Sequence, residues 1–386
     1  MHTIFRKIAF IEIVSCLYFG ACQNEGTVFN RQDTISYNRT SFNLFLDNLT
    51  PFGNGMLFGE VNIEHLFLCN QINKSIDVYS TKSGKLVRRI DLKKNEEFSK
   101  LQLNGFKILD TNRIFVVFKY FLNKAAIVTN NGEIIERNYI HENVDRGLIN
   151  NVVSLYNPII GRFDSIWQIT SWPWGEIPKS SFYNINVYNY NLNSKSLSEY
   201  TLPYPPDLLS IVDKSNKEFL AITVHKCLNR KNAIVFSFPR SNYLGIMHNT
   251  GSDSLYFMEI GKNSLKFDQK YINGLKPMQY LLEYAHSSHI LYDSINDVYL
   301  RIINLPTQRS KDTEFKDNSG IQLMNIAVQI IYNKFEEVCV LYLEDSKYDI
   351  YRSFTLDGNL YISKNNLNNE SIDENIIKFD VFDFVY

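Results

Sequence analysis

Glu283-x-x-His286-x-x-His289 is the one cluster in this chain whose residue types and spacing could hold a metal ion. On a helix, residues three apart share a face, so one carboxylate and two imidazoles would converge. The segment around His289 reads as strand, however. The plainer reading is a helix over Pro277–Ala285 that ends beside two polar residues, and no metal or other cofactor is expected. Trp172-Pro173-Trp174-Gly175 gathers two of the three tryptophans in a turn-rich loop after a strand. Aromatics exposed on such a loop, Trp172 and Trp174, could stack on sugar rings or anchor a partner. The plainer reading is a loop that covers the core, and Trp167 reads as core outright. No G-x-S-x-G, H-E-x-x-H or Walker A pattern occurs, so no catalytic residue is assigned. Gly53-Asn54-Gly55 lacks the lysine and helix of a phosphate loop.

The N-terminus carries a different kind of chemistry. Arg6 and Lys7 are followed by an apolar run, Ile8 to Phe19, then by Gly20-Ala21-Cys22 and a polar stretch from Gln23. A charged start, a short apolar core and small residues before a cysteine mark an export signal with a lipid attachment point. The core is too short to span a bilayer. Glu12 inside the core is costly, and Ile13-Val14-Ser15-Cys16 forms a second candidate box. Cys22 is preferred, because the polar residues after it suit a tether. The expected division is a signal over 1–21, a tether over 22–30 and one folded domain over 31–386. The plainer alternative is an ordinary cleaved signal or a buried strand.

Composition restricts what the rest can be. With 40 basic and 41 acidic residues intermixed, the net charge is −1, and no basic stripe points to nucleic acid. The 27 Phe and 24 Tyr, with few alanines, favour sheet over helix. Of the five cysteines, Cys69, Cys227 and Cys339 remain once Cys16 and Cys22 are set aside. Their wide spacing does not make a disulfide framework. Cys69 and Cys339 read as small buried residues in strands.

The elements that must position these residues recur as strand, turn, strand. Strands are expected over His65–Asn70, Ser75–Ser80, Lys85–Leu92, Gly105–Leu109, Arg113–Tyr120, Lys124–Thr129 and Glu133–Ile140. Turns fall at Lys82-Ser83-Gly84 and Asn130-Asn131-Gly132, where glycine supplies positive φ at low steric cost. Weaker copies follow over Ile166–Ser171, Tyr183–Tyr190, Ser196–Leu202, Ala233–Phe238, Tyr243–Asn249, Ser254–Ile260, Ser288–Tyr292 and Asp297–Ile303. The last group runs from Asn325 through Val338 to Leu343, then Tyr348–Leu356, Asn359–Ser363 and Ile376–Tyr386, with a turn at Asp357-Gly358. Groups recur roughly every 40–60 residues, the range of four-stranded propeller blades. An all-β propeller of six blades, or seven, is expected; two β-sandwiches are the alternative. Ser310–Ser319 reads as an exposed loop.

Ser75-Ile76-Asp77-Val78-Tyr79 leading to Gly84-Lys85-Leu86, and His289-Ile290-Leu291-Tyr292-Asp293 followed by Val298-Tyr299-Leu300-Arg301, together with the lipid-type signal, carry a resemblance. The chain resembles uncharacterised exported lipoproteins of certain Gram-negative gut bacteria, propeller-like proteins of unknown function. The resemblance covers most of the mature chain. It implies a six-bladed propeller tethered to a membrane, and no known reaction. The expectation is a binding or scaffolding module in the cell envelope, lipid-anchored to the outer membrane, with a protein or glycan partner and no nucleic acid. The alternative is a carbohydrate-active lyase or hydrolase with its site at the propeller axis. A carboxylate- or His-lined axis would point to the enzyme; a shallow, aromatic-rimmed face would point to binding.

Overall fold

A computed structural model describes residues 36–50, 56–118, 121–138, 148–150, 155, 157–162, 166–173, 184–208, 224–248, 255–261, 285–305, 325–332, 334–335, 337–343, 348–365 and 373–385. The chain divides into Met1–Asp33 and Thr34–Tyr386, and every described residue belongs to the second unit. The first strand, β1, is Ser36–Phe45. Strands β2 to β5 are Met56–Val61, His65–Asn70, Ser75–Ser80 and Leu86–Asp91. A one-turn helix, α1 (Glu96–Ser99), leads to β6 to β9: Leu103–Ile108, Arg113–Phe118, Phe121–Thr129 and Ile134–Asn138. Strands β10 to β14 are Leu148–Asn150, Ile160–Arg162, Ile166–Pro173, Asn184–Asn191 and Ser196–Pro203. Strands β15 to β18 are His225–Leu228, Ala233–Ser237, Tyr243–His248 and Leu255–Glu259. Strands β19 to β22 are His286–Asp293, Val298–Asn304, Ile326–Tyr332 and Glu337–Leu343. The last three, β23 to β25, are Asp349–Leu356, Asn359–Ser363 and Ile376–Val385.

These strands form an all-β propeller. Among the described residues they make six antiparallel sheets, five of them four-stranded and one, β10 to β14, five-stranded. Each sheet is apolar on both faces and buries each face against a neighbour, as alternation on a two-faced sheet requires. Phe67, Ile76 and Val78 meet Phe106, Ile114 and Val116. Phe115 and Val117, on the opposite face of β7, meet Tyr188 and Tyr190. Val187 and Leu202 meet Ile234, Phe236 and Phe238. Cys227 and Val235 meet Ile290, Tyr299 and Ile331. Val298, Leu300 and Val328 meet Ile350, Leu360 and Phe382. The circle closes where Leu44, Phe354 and Phe379 meet Phe58, Leu66 and Tyr79. Closure also has a covalent logic. β1, from the N-terminal side, pairs along its whole length with β25, so one sheet holds both ends of the domain. Arg39 on β1 adds an ion pair to Asp380 on β25.

Turn chemistry sets the register. Leu356 pairs with Asn359 across Asp357-Gly358, and both turn residues have positive φ, 50° and 78°, the geometry of a two-residue I′ hairpin. Other loops use an Asn or Asp side chain to accept backbone N–H groups two to four residues on, at Asn62, Asp110, Asn191, Asn229 and Asp293.

The expected strands over His65–Asn70, Ser75–Ser80 and Asn359–Ser363 coincide with β3, β4 and β24. The run from Asn325 to Leu343 is two strands, β21 and β22, with Phe335 at φ 65° between them. β1, β2, β10, β11 and β15 carry too little apolar alternation to be legible in the sequence. The signal, the tether, residues 277–284 of the expected helix and the Ser310–Ser319 loop lie outside the described residues. Cys69, Cys227 and Cys339 are buried. No helix among the described residues is long and apolar enough to cross a membrane.

Candidate functional site

One edge strand of each regular sheet lines the ring's interior: the first in chain order, except in the sheet closed by β1, where it is β23. β15 lies beside β19, β19 beside β23, β23 beside β2, and β2 beside β6. Register shifts run through inner and outer strands alike, the outer ones at β4–β5, β7–β8, β8–β9 and β21–β22. β2 bulges between Phe58 and Glu60, β6 between Leu103 and Gly105, and β19 between Ser287 and His289. β23 skips three residues, Ile350 to Arg352, between its pairings at Asp349 and Ser353. In the five-stranded sheet the inner position is split between β10 and β11, which pair with different parts of β12. A bulge gives up ladder hydrogen bonds and re-aims side chains, and bulges gather beside functional sites.

The inner strands carry polar and aromatic groups. β15 contributes His225 and Lys226, β19 His286 to His289, β23 Asp349 to Ser353, β2 Glu60 and β6 Lys107. The rings of His225, His289 and Tyr351 form a row from three sheets, with centroids 5.9 and 6.0 Å apart. Arg352 Nη1 donates to Asp349 Oδ2 at 2.8 Å, and the backbone N–H of Tyr351 donates to Asp349 Oδ1 at 3.1 Å. Lys107 Nζ lies 3.0 Å from Glu60 Oε1, which also accepts from the N–H of Ile108. Desolvation raises both the Glu60 and the Asp349 carboxyl, against the pull of Lys107 and Arg352. Burial pushes the Lys226 amine down to about 7.

Tyr351 differs from its neighbours. It keeps 45% of its surface accessible, although desolvation and then the charge of Asp349 raise its phenol.

His289 and Ser353 resemble a base and a nucleophile but are built differently. His289 Nε2 lies 3.0 Å from Ser353 Oγ and 2.6 Å from the carbonyl of Ile350. A carbonyl only accepts, so Nε2 carries the proton and cannot take one from the serine. Ser353 Oγ donates to the same carbonyl at 2.8 Å. Both side chains are sealed from solvent, and burial pushes the imidazole down to about 4. The pair is a neutral staple between β19 and β23. Arg301 does similar work between sheets: Nε donates to Ser237 Oγ, and Nη2 to the carbonyls of Phe238 and Ser241, at 2.7–2.9 Å.

Set against the residues singled out in the sequence, two placements change. His286 and His289 lie on one strand with a bulge between them, not on a helix, so they do not converge with residue 283, which lies outside the described residues. Asn304 Nδ2 donates to His286 Nε2 at 3.0 Å, which leaves that nitrogen occupied. Among the described residues no group of three His, Cys, Asp or Glu is placed to hold a metal. Trp172 lies within β12, paired with Ile149, rather than in a loop after it. The proline that suggested a loop ends the strand instead, where a missing N–H is tolerated. Trp174 and Cys22 lie outside the described residues. The inner-wall residues His225, Lys226, Asp349, Tyr351 and Arg352 escaped the sequence reading. Their one signal is polar types inside otherwise apolar strand runs.

The fold and inner wall define the class: an all-β propeller with a polar interior wall. The chain is similar in structure to a member of the DUF4221 family from Bacteroides vulgatus, at 19% identity over 92% of this chain and 99% of that one, TM-score 0.74. It is also similar to a protein of Bacteroides fragilis inferred to be exported, at 8% identity over 90% and 96% of the two chains, TM-score 0.52. At these identities the likeness shows the fold alone. No family model matches the sequence, and no curated protein matches it.

Proposed function

We propose that this protein is an exported, lipid-anchored propeller that binds a protein or glycan partner in the cell envelope. The six sheets are its six blades, residues 22–30 are the tether, and Cys22 carries the lipid that holds it to the outer membrane. Trp172 and Trp174 contribute to the partner's contact surface. Export agrees with the likeness in fold to a Bacteroides fragilis protein inferred to be exported.

The observation that carries the binding reading is the inner wall. Five inner strands far apart in sequence carry ionisable and aromatic groups, and β23 loops three residues, Tyr351 among them, out of its ladder. Packing alone calls for none of this, since apolar residues would fill the same places more cheaply. A His- and carboxylate-lined wall was the feature expected of an enzyme. Among the described residues, however, Glu60 and Asp349 are each bridged by a cation, and the Ser353–His289 pair is sealed. That arrangement suits holding a ligand better than moving protons on one.

Two arms test the reading on the full chain. Cys22→Ser should move the protein from the membrane fraction to the soluble one, and membrane retention in the variant would sink the lipid anchor. Capture of envelope proteins and glycans by the detergent-solubilised chain should yield a specific partner, weakened by Trp172→Ala/Trp174→Ala. A screen that returns no partner of either class would overturn the binding function.

A further inference from the structure

We infer that the ligand of the inner wall is a neutral carbohydrate, and that Tyr351 is the platform on which a sugar ring stacks. The inference deepens the binding reading and rests on it. The first ground is the cost at which Tyr351 is presented. Three consecutive residues of β23 are looped out of the ladder between Asp349 and Ser353, and the middle one is Tyr351. A large aromatic on the innermost strand would ordinarily be buried between blades, as Phe354 on the same strand is. Tyr351 instead keeps 45% of its surface accessible.

The second ground is the support beneath it. His289 lies against the Tyr351 ring at 6.0 Å and is itself held by Ile350 and Ser353. A platform fixed in this way loses little freedom when a ring settles on it, so less of the binding energy is offset by ordering. The third ground is charge. Asp349 and Arg352 flank Tyr351 and bridge each other at 2.8 Å. The pair carries no net charge; its guanidinium is buried, and its partly exposed carboxylate offers lone pairs beside Tyr351. Between β2 and β6, Glu60 and Lys107 repeat the same neutral pairing at 3.0 Å. An ionic ligand seated on Tyr351 would have to compete with the Asp349–Arg352 pair. A polyhydroxy ring needs only donors and acceptors around an aromatic face, and finds both here.

The test uses the full chain in detergent with maltose, cellobiose and mannobiose as probes and glucuronate as the charged arm. The protein carries 3-fluorotyrosine, and Tyr351→Phe identifies the Tyr351 signal by its loss. Expected is a saturable shift of that signal with at least one neutral disaccharide and none with glucuronate. By calorimetry, Tyr351→Ala should weaken binding roughly tenfold, while Tyr351→Phe should bind like the wild type. The fluorine shift is read on the wild-type chain, so the test stands even if the alanine variant folds poorly. A neutral sugar that binds without moving the Tyr351 signal would overturn the platform. Preference for glucuronate would overturn the neutral ligand. Capture of a protein partner with no saccharide binding would overturn this inference while leaving the binding function intact. Failure of both would remove the two together.

Discussion

His289 shows how one residue couples the inner wall to stability. The imidazole is buried neutral, with burial pushing it from 6.5 down to about 4. Its surroundings are His225 from β15, Tyr351 from β23, the Ser353 hydroxyl and the Ile350 carbonyl. Between those two values the unfolded chain binds the proton and the folded chain does not. The contribution is therefore fully present above pH 6.5 and is lost as pH falls towards 4, at up to about 1.4 kcal/mol per unit. His289→Gln should flatten this part of the profile. Urea unfolding at pH 7.5 and at pH 5 checks it, and equal slopes in variant and wild type would assign the acid sensitivity elsewhere. The same burial explains why the Ser353 pair is a fastener: a base that must stay neutral and already donates its proton has no catalytic use.

Elements are joined by turns as much as by faces. Gly84, in the turn between β4 and β5, has φ +66°, and its carbonyl accepts from the N–H of Phe45 at the end of β1. A Cβ there would lie 1.8 Å from the backbone oxygen of Asn43, and backbone cannot swing aside. Gly84→Ala should therefore destabilise the protein by more than about 1 kcal/mol, through both the φ penalty and the push on β1. Gly161 on β11 makes a matched control. A Cβ there meets nothing within 4 Å, and Gly161→Ala should change stability by less than about 0.5 kcal/mol. Thermal melts of the two variants decide the point, and equal melting would mean that the turn yields. Turns were the most readable elements in the sequence, because Asp357-Gly358 and Gly84 announce positive φ by composition. Inner strands were the least readable. Bulges break the alternation that marks a strand, and β15 reads His-Lys-Cys-Leu.

At the scale of the whole molecule, closure of the ring depends on β1. Ten residues pair in register with β25, from Ser36 with Val385 to Phe45 with Ile376, and Leu44 is buried among Phe58, Phe354 and Phe379. A chain starting at Leu46 would leave the β25 edge unpaired, and an unpaired edge templates association. Size-exclusion chromatography and a melting curve should show self-association and a broadened transition. A monomer that melts like the full chain would mean that the ring holds without β1.

Residue types and local spacing alone determined the strand-turn-strand rhythm, the roughly 40–60-residue repeat and the propeller class, because alternation and turn glycines are local signals. They also set the expectation of lipid at Cys22, which is read from contiguous residues. The tertiary structure alone decided that β1 completes the last sheet, that Trp172 lies within a strand, and that His225, His289 and Tyr351 stand in one row. The reason is physical. An inner wall is assembled from one short strand per sheet, so strands as far apart in sequence as β2 and β23 come together only when the ring closes, and no local pattern records that closure.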